Sequence, residues 1–435
     1  MMVGQGMASR IPIRSGADGR RLHRRAVMQG LAAAAMSAIP ARSQSPARIL
    51  VIGGGFGGAS CARALRAGGL DVTLVEPKTV YTACPLSNEV IAGLRDLTAQ
   101  QFSYAALAGT GIRIVRDSAT RLDAAARRVV TSDGSAIAYD RLVVAPGIDL
   151  RAAALPGYDA TAVERMPHAW QAGAQTVMLR DQLRAMPDGG TFVISVPAAP
   201  YRCPPAPYER ASLVAHYFTT RKPRSKIIIL DANDSFPRQK QFEAAWAQYY
   251  RGMIAWVPLS SGGNVISVDP AGMILTTDFD SYHADVANVI LPQRAGLIAQ
   301  ATGVADRTGW CPVDPVTFES MLVGGIHVIG DAVTAGALPR SASAAQGEGL
   351  ACALAIIALL AGQTPAALDL NGICYALVAP GDALSIAGVY RPANGGFVEA
   401  GAGAAAAGVA SAEMRAAEAS HAQRWFTTIT GEVFG

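Results

Sequence analysis

The chain is sparing with charge and cysteine, and it has no long hydrophobic run. Charged side chains make up only 16% of the 435 residues, against 51% apolar, so material for large cores is plentiful. The length suits about three domains of ordinary size. A nucleic-acid surface would need a basic face. The net charge of +4 hints at one until positions are read. Residues 1–43 hold seven arginines and a single acid, Asp18, which leaves 30 basic and 32 acidic residues in the remainder. No nucleic-acid partner is therefore expected. No Cys-x-x-Cys-His occurs, so the chain attaches no c-type haem of its own. The apolar run "LACALAIIALLAG" (350–362) is shorter than the roughly 20 residues that span a bilayer. It reads as a buried helix, and no membrane span is expected in the mature chain.

What is present begins with a leader. "RRLHRRAVMQG" is basic, "LAAAAMSAIP" is mildly apolar, and small residues offer cleavage after Ser43. Arg24-Arg25 before an Ala-rich core reads as a twin-arginine export signal, with an ordinary secretory signal or a plain tail as alternatives. Export would place the mature protein in the periplasm, where disulfides are permitted. All six cysteines (61, 84, 203, 311, 352, 374) lie beyond this leader. Spacing alone does not choose among their pairings.

The segment "ARILVIGGGFGGASCARALRAGGLDVTLVEP" (47–77) is the most specific local signal. An apolar strand runs into Gly53-x-Gly55-x-x-Gly58, a small-residue helix follows, and a second strand ends at Glu76. Gly53 suits a tight turn, Gly55 lets the backbone approach a pyrophosphate, and Gly58 lets helix and strand pack closely. The helix N-terminus favours the negative charge. Glu76 stands where an acid accepts from ribose hydroxyls. Cys61, one step into the helix, reads as a small buried filler. Two later strands, "YDRLVVAPG" ending at Gly147 and "GGIHVIGDA" carrying Gly330 and Asp331, resemble the accessory flavin-contact motifs of two-dinucleotide-domain flavoproteins. They favour FAD, with Asp331 expected at the ribityl chain.

A second strand–loop–helix–strand unit spans "GGTFVISV" to "SKIIILDAN". Its loop, "PAAPYRCPPAPYER" (197–210), has prolines and Cys203 where a nucleotide loop has glycines. Proline lacks an N–H and has a fixed φ, so it cannot cradle phosphate. The domain is expected to keep its fold and to have lost NAD(P)H, although Asp231 still ends the second strand. Cys203 precedes a helix N-terminus, a place that lowers a thiol's pKa. It reads equally as a reactive or an inert cysteine. Glu209 reads either as a first-turn acid favoured by the helix dipole or as a proton-handling carboxylate.

Three segments together, "ACPLSNEVIAG" (83–93), "APYRCPPAPYERAS" (199–212) and "NGICYALVAPGDALSIAGVYRP" (371–392), closely resemble the flavoprotein subunit of flavocytochrome c sulfide dehydrogenases. "MPHAW" (166–170), "LPQRAG" (291–296) and "GWCPVDPVTFES" (309–320) add to the likeness, which runs from about residue 47 to the end. The resemblance implies an α/β fold of two Rossmann-like dinucleotide-binding domains, glutathione reductase-like, plus a C-terminal α+β interface domain. It implies FAD held covalently through Cys84, a redox-active disulfide between Cys203 and Cys374, and Glu209 beside that disulfide. Trp425 matches a tryptophan near the flavin and the route to haem. The segment after Gly-Asp-Ala is shorter here than in the family and lacks its tyrosine.

The implied activity is oxidation of hydrosulfide to polysulfide or elemental sulfur, with electrons passed to a c-type cytochrome subunit or a soluble cytochrome c. Two alternatives are a sulfide:quinone oxidoreductase, which needs a membrane-facing surface, and a non-catalytic flavin-bearing helper subunit, which would not be reduced by sulfide alone. The expected organisation is a leader over 1–43, a split FAD domain over 44–157 and 298–368, and an altered nucleotide domain over 158–297. A C-terminal interface domain over 369–435 would follow. The Ala/Gly run at 400–410 reads as a flexible link, and Cys311 and Cys352 are open to pairing with each other or to staying reduced.

Overall fold

The computed structural model describes residues 46–400 and 410–435. The expected leader, and most of the expected Ala/Gly link, lie outside the described residues. β1 (Arg48–Ile52) is the apolar run ahead of the glycines, and four of its five residues are buried. Such continuous burial belongs to a parallel strand covered on both faces. α1 (Phe56–Ala67) follows the Gly loop, then β2 (Asp71–Val75), β3 (Arg113–Val115) and β4 (Arg141–Val144). β1 pairs in parallel with β2, from Arg48↔Asp71 to Ile52↔Val75, and with β4 on its other side.

The chain then builds a second parallel sheet from β5 (Thr191–Val196), α2 (Ala206–Arg221), β6 (Lys226–Asp231), β7 (Ile254–Val257) and β8 (Val286–Val289). Its strand order is β7-β6-β5-β8. β9 (Ile326–Val328) returns to the first sheet beside β4, which makes that order β9-β4-β1-β2-β3. Two Rossmann-like sheets result, one interrupting the other in the sequence.

α3 (Ala342–Leu360) leaves the first sheet after β9, with Ser341 Oγ accepting from Ala344 N as its N-cap. It has 19 residues, longer than the run read from the sequence, and its length and composition alone would suffice to cross a membrane. Half of that stretch is buried, much of it against α1. A Cβ on Gly349 would stand 2.4 Å from Gly57 O, so the two helices touch backbone to backbone. The C-terminal part is an antiparallel sheet, β10 (Leu370–Ala379), β11 (Asp382–Ala393) and β12 (Gly396–Glu399), followed by α4 (Ala412–Phe434). Phe434 at the end of α4 stacks on Tyr81 at 4.8 Å and meets Phe56 at 5.6 Å, which ties this helix to the Gly loop.

Candidate active site

The glycines divide the work as the spacing predicts. Gly53 has φ +94°, and a Cβ there would lie 2.2 Å from Ala145 O. A Cβ on Gly58 would fall 1.9 Å from Gly53 O. Gly55 differs: its nearest neighbour is Tyr81 at 3.7 Å, so the space above it is open. Gly55 is also the N-cap of α1, with no side chain satisfying the first-turn N–H groups. An open, uncapped helix N-terminus is what a pyrophosphate requires. Glu76 accepts from Gly54 N at 2.8 Å and Lys78 N at 3.0 Å, so besides facing the cavity it braces the loop.

These residues line a cavity of about 430 Å³. Gly147, at φ +62°, and the Gly330-Asp331 turn after β9 also line it. Cys84, Cys203, Glu209, Cys374 and Trp425 line the rest. Trp170 also lines it; the residue is 5% exposed, and its indole N–H has no partner among the described residues. A buried donor without an acceptor costs on the order of 1–3 kcal/mol unless a ligand supplies one. The open glycine, the uncapped helix and this orphan donor together fit a dinucleotide such as FAD.

The altered loop delivers Cys203 at φ +53°, with its N–H donating to Arg340 O at 3.1 Å. β10 delivers Cys374, 171 residues later in the chain. The two sulfurs are in hydrogen-bond contact as thiols. The helix-N-terminus expectation for Cys203 is corrected here. Its contact with Cys374, its burial and the nearby Glu209 charge push the Cys203 thiol well up. Cys374 is the lowered one, because Cys203 donates to it and the Ser341 hydroxyl adds a second bond. These neighbours and burial outweigh the N-terminus of α2, which begins three residues on at Ala206.

Glu209 is 6% exposed and bonded at both oxygens, Oε1 to Leu377 N at 2.9 Å and Oε2 to Asn88 Nδ2 at 2.7 Å. Burial is the main reason its carboxyl is pushed up to about 7; the two hydrogen bonds pull the other way, and Glu89 adds repulsion. Asn88 is held in turn by Arg210 Nε at 3.0 Å. Cys84 lies between Trp170 O, at 4.0 Å, and Arg202 Nη2, at 3.5 Å. Asp331 pairs with Arg202 Nη1 at 3.6 Å. Trp425 meets Tyr375 with ring centroids 5.7 Å apart.

Asn88, Arg202, Ser341 and Tyr375 carry no individual signal in the sequence, although all but Ser341 stand inside the quoted motifs. No local spacing marks them. Cys352 lies against Cys61, not Cys311, and both members of that pair are fully buried. Asp231 is fully buried, with Asn233 N and Nδ2 on one oxygen and Trp256 Nε1 on the other.

Comparison with known proteins follows the same division. Residues 47–182 match the pyridine nucleotide-disulphide oxidoreductase family. Residues 176–292 match the central region of the sulfide dehydrogenase [flavocytochrome c] flavoprotein chain. Residues 366–434 match the flavin-binding region of flavocytochrome c sulphide dehydrogenase. Over 45 residues the chain is 58% identical to the sulfide dehydrogenase [flavocytochrome c] flavoprotein chain of Chlorobaculum thiosulfatiphilum, covering 10% of this chain and 94% of that one. The chain belongs to the flavocytochrome c sulfide dehydrogenase flavoprotein family. It is an FAD-dependent oxidoreductase.

The mitochondrial sulfide:quinone oxidoreductase of Mus musculus is 26% identical over 321 residues, 68% of this chain and 67% of that one. Among solved structures, the sulfide:quinone oxidoreductase of Aquifex aeolicus superposes with a TM-score of 0.69 at 16% identity, covering 89% of this chain and 92% of that one. A putidaredoxin reductase–putidaredoxin complex gives 0.62 at 17% identity, covering 80% and 82%. These two structures share the fold.

Proposed function

We propose that this flavoprotein oxidises hydrosulfide at a Cys203–Cys374 disulfide and delivers the electrons to a c-type haem on a separate cytochrome. The observation that carries the reading is the contact of two sulfurs, 171 residues apart in sequence, on the wall of the flavin cavity beside Glu209. Hydrosulfide attacks Cys203, the S–S bond breaks, and Cys203 becomes a persulfide while Cys374 leaves as a thiolate. The more acidic thiol is the better leaving group in such exchange. Cys374 is suited to that part by the Ser341 hydroxyl, which donates to its sulfur. Glu209, poised near neutrality, takes the proton released as the persulfide forms. When bound, FAD accepts the electron pair and releases electrons singly, the conversion a haem partner requires. Gly53, Gly55, Gly58 and Glu76 would hold its pyrophosphate end, Gly147, Gly330 and Asp331 its middle, and Cys84 its ring, covalently. Trp425, on the cavity wall and in ring contact with Tyr375, is the candidate exit for electrons. The basic leader supports a periplasmic setting.

Anaerobic stopped-flow absorbance tests the reading. Sulfide should bleach the flavin, and oxidised cytochrome c should restore it. Restoration by a short-chain quinone and not by cytochrome c would move the protein to the quinone-linked reaction that its mouse relative is named for. No bleaching by sulfide would leave a helper subunit.

A further inference from the structure

Arg202 immediately precedes Cys203, yet its side chain reaches to Cys84, 118 residues away in sequence. Nη2 stands 3.5 Å from Cys84 Sγ and also donates to Trp170 O. Nη1 lies 3.6 Å from Asp331 Oδ2, and the backbone N–H is pinned to Gln293 Oε1 at 2.9 Å. The side chain is 17% exposed and its partner Asp331 15%, so this is an interior arrangement and not a surface pair. The Cys84 sulfur thus has one acceptor within reach, Trp170 O, and one cationic donor. A guanidinium donating to sulfur stabilises the charge that sulfur gains when its proton leaves. The planar fork serves sulfur and carbonyl from one nitrogen and the carboxylate from the other, a set that a lysine ammonium cannot reproduce.

We infer that Arg202 is the positioning residue for covalent attachment of the flavin, holding the Cys84 sulfur and stabilising its thiolate while the bond forms. The inference rests on the reading that Cys84 carries the flavin. In the step, a bond forms between Cys84 Sγ and the flavin 8α-methyl carbon, while the S–H bond and one methyl C–H bond break. The two electrons and two protons go to the flavin ring, and c-type haem iron(III) takes the electrons off one at a time.

The test compares full-length wild type with Arg202→Gln, Arg202→Lys and Cys84→Ser, each saturated with FAD in the presence of oxidised cytochrome c. Flavin bound to native protein is read by absorbance. Flavin surviving acid precipitation is read by fluorescence of the denatured chain over time. Wild type should become acid-stable, and Cys84→Ser should release all its flavin in acid. Arg202→Gln should bind flavin yet form the acid-stable product about tenfold or more slowly, with Arg202→Lys falling between. Acid-stable flavin in Arg202→Gln at the wild-type rate overturns the inference. So does an Arg202→Gln protein that folds but binds no flavin at saturation, since the residue would then act in retention. If wild type behaves like Cys84→Ser, the covalent reading itself is wrong and the inference falls with it.

Discussion

The Tyr208 hydroxyl donates to Asp231 Oδ2 at 2.5 Å. Asp231 ends β6, the place where a nucleotide-binding strand keeps an acid for ribose. Here that acid is an internal hub. Phe236 stacks on Tyr208 with ring centroids 3.6 Å apart, filling the space beside it. The helix that would have carried a phosphate loop instead carries Tyr208 into the core and Glu209 to the cavity. A nicotinamide nucleotide would meet prolines in place of glycines and no free carboxylate.

NADH and NADPH should therefore leave the flavin oxidised under conditions where sulfide reduces it. The measurement is anaerobic mixing at a large excess of each nucleotide. Bleaching by either one, above the buffer blank, would show that the altered loop still admits a nicotinamide.

Serine at position 203 or 374 should remove the reaction with sulfide while leaving flavin in place. A disulfide cannot form with one sulfur, so the loss should exceed about a hundredfold in the rate of flavin reduction. Each variant should keep its flavin spectrum. Residual reduction at a tenth of the wild-type rate or more would mean that sulfide reaches the flavin without the pair.

Glu209 makes stability depend on pH with a definite sign. Its carboxyl is pushed up to about 7, whereas in an unfolded chain it titrates near about 4.3. Between those values the folded state holds a proton that the unfolded state has lost. Stability from this group therefore falls as pH rises through that window and is level above it. Glu209→Gln should flatten the slope, by about 4 kcal/mol across the window in urea melts at matched pH. At pH about 8 the same variant should slow flavin reduction by about a hundredfold, because the base is gone. The ratio to wild type at each pH cancels the titration of sulfide itself. A ratio that stays flat through pH about 7 would remove Glu209 from proton handling.

Alanine at Gly55 and at Gly58 should fail in different ways. At Gly58 the new methyl meets Gly53 O at 1.9 Å, so the fold itself should weaken. The cost should be at least 1–3 kcal/mol, as for overpacking elsewhere. At Gly55 the methyl meets only Tyr81, at 3.7 Å, so the flavin-free protein should melt as wild type does. Flavin affinity should fall instead, because the methyl occupies the pyrophosphate approach. Thermal melts of flavin-free protein and flavin titrations separate the two. Equal melting temperatures for both variants would contradict the packing account.

Local features were the legible ones. The Gly loop, the strand–helix–strand frames, the turn at Gly147 and the Gly330-Asp331 turn each occupy a short window, where spacing and glycine φ decide the backbone. Glu209 was placed in the first turn of its helix, and it is there. Its partners Asn88 and Leu377 stand 121 and 168 residues away, and no window of sequence contains both ends of such a bond. Arg202 was hidden for the same reason. The side chain beside Cys203 reaches a different cysteine, Cys84, 118 residues away.

The sequence by itself determined the two nucleotide-binding frames, the intact first loop and the ruined second one, because these depend on what neighbouring residues sterically allow. Only the tertiary structure decided that Cys203 and Cys374 meet on the cavity wall, that Cys352 faces Cys61, and that Asp231 is held within the core. Charge on a sulfur or a carboxylate is set by the few groups within about 4 Å of it. In this chain those groups arrive from strands and helices more than a hundred residues apart, brought together by burial of the apolar faces of two sheets.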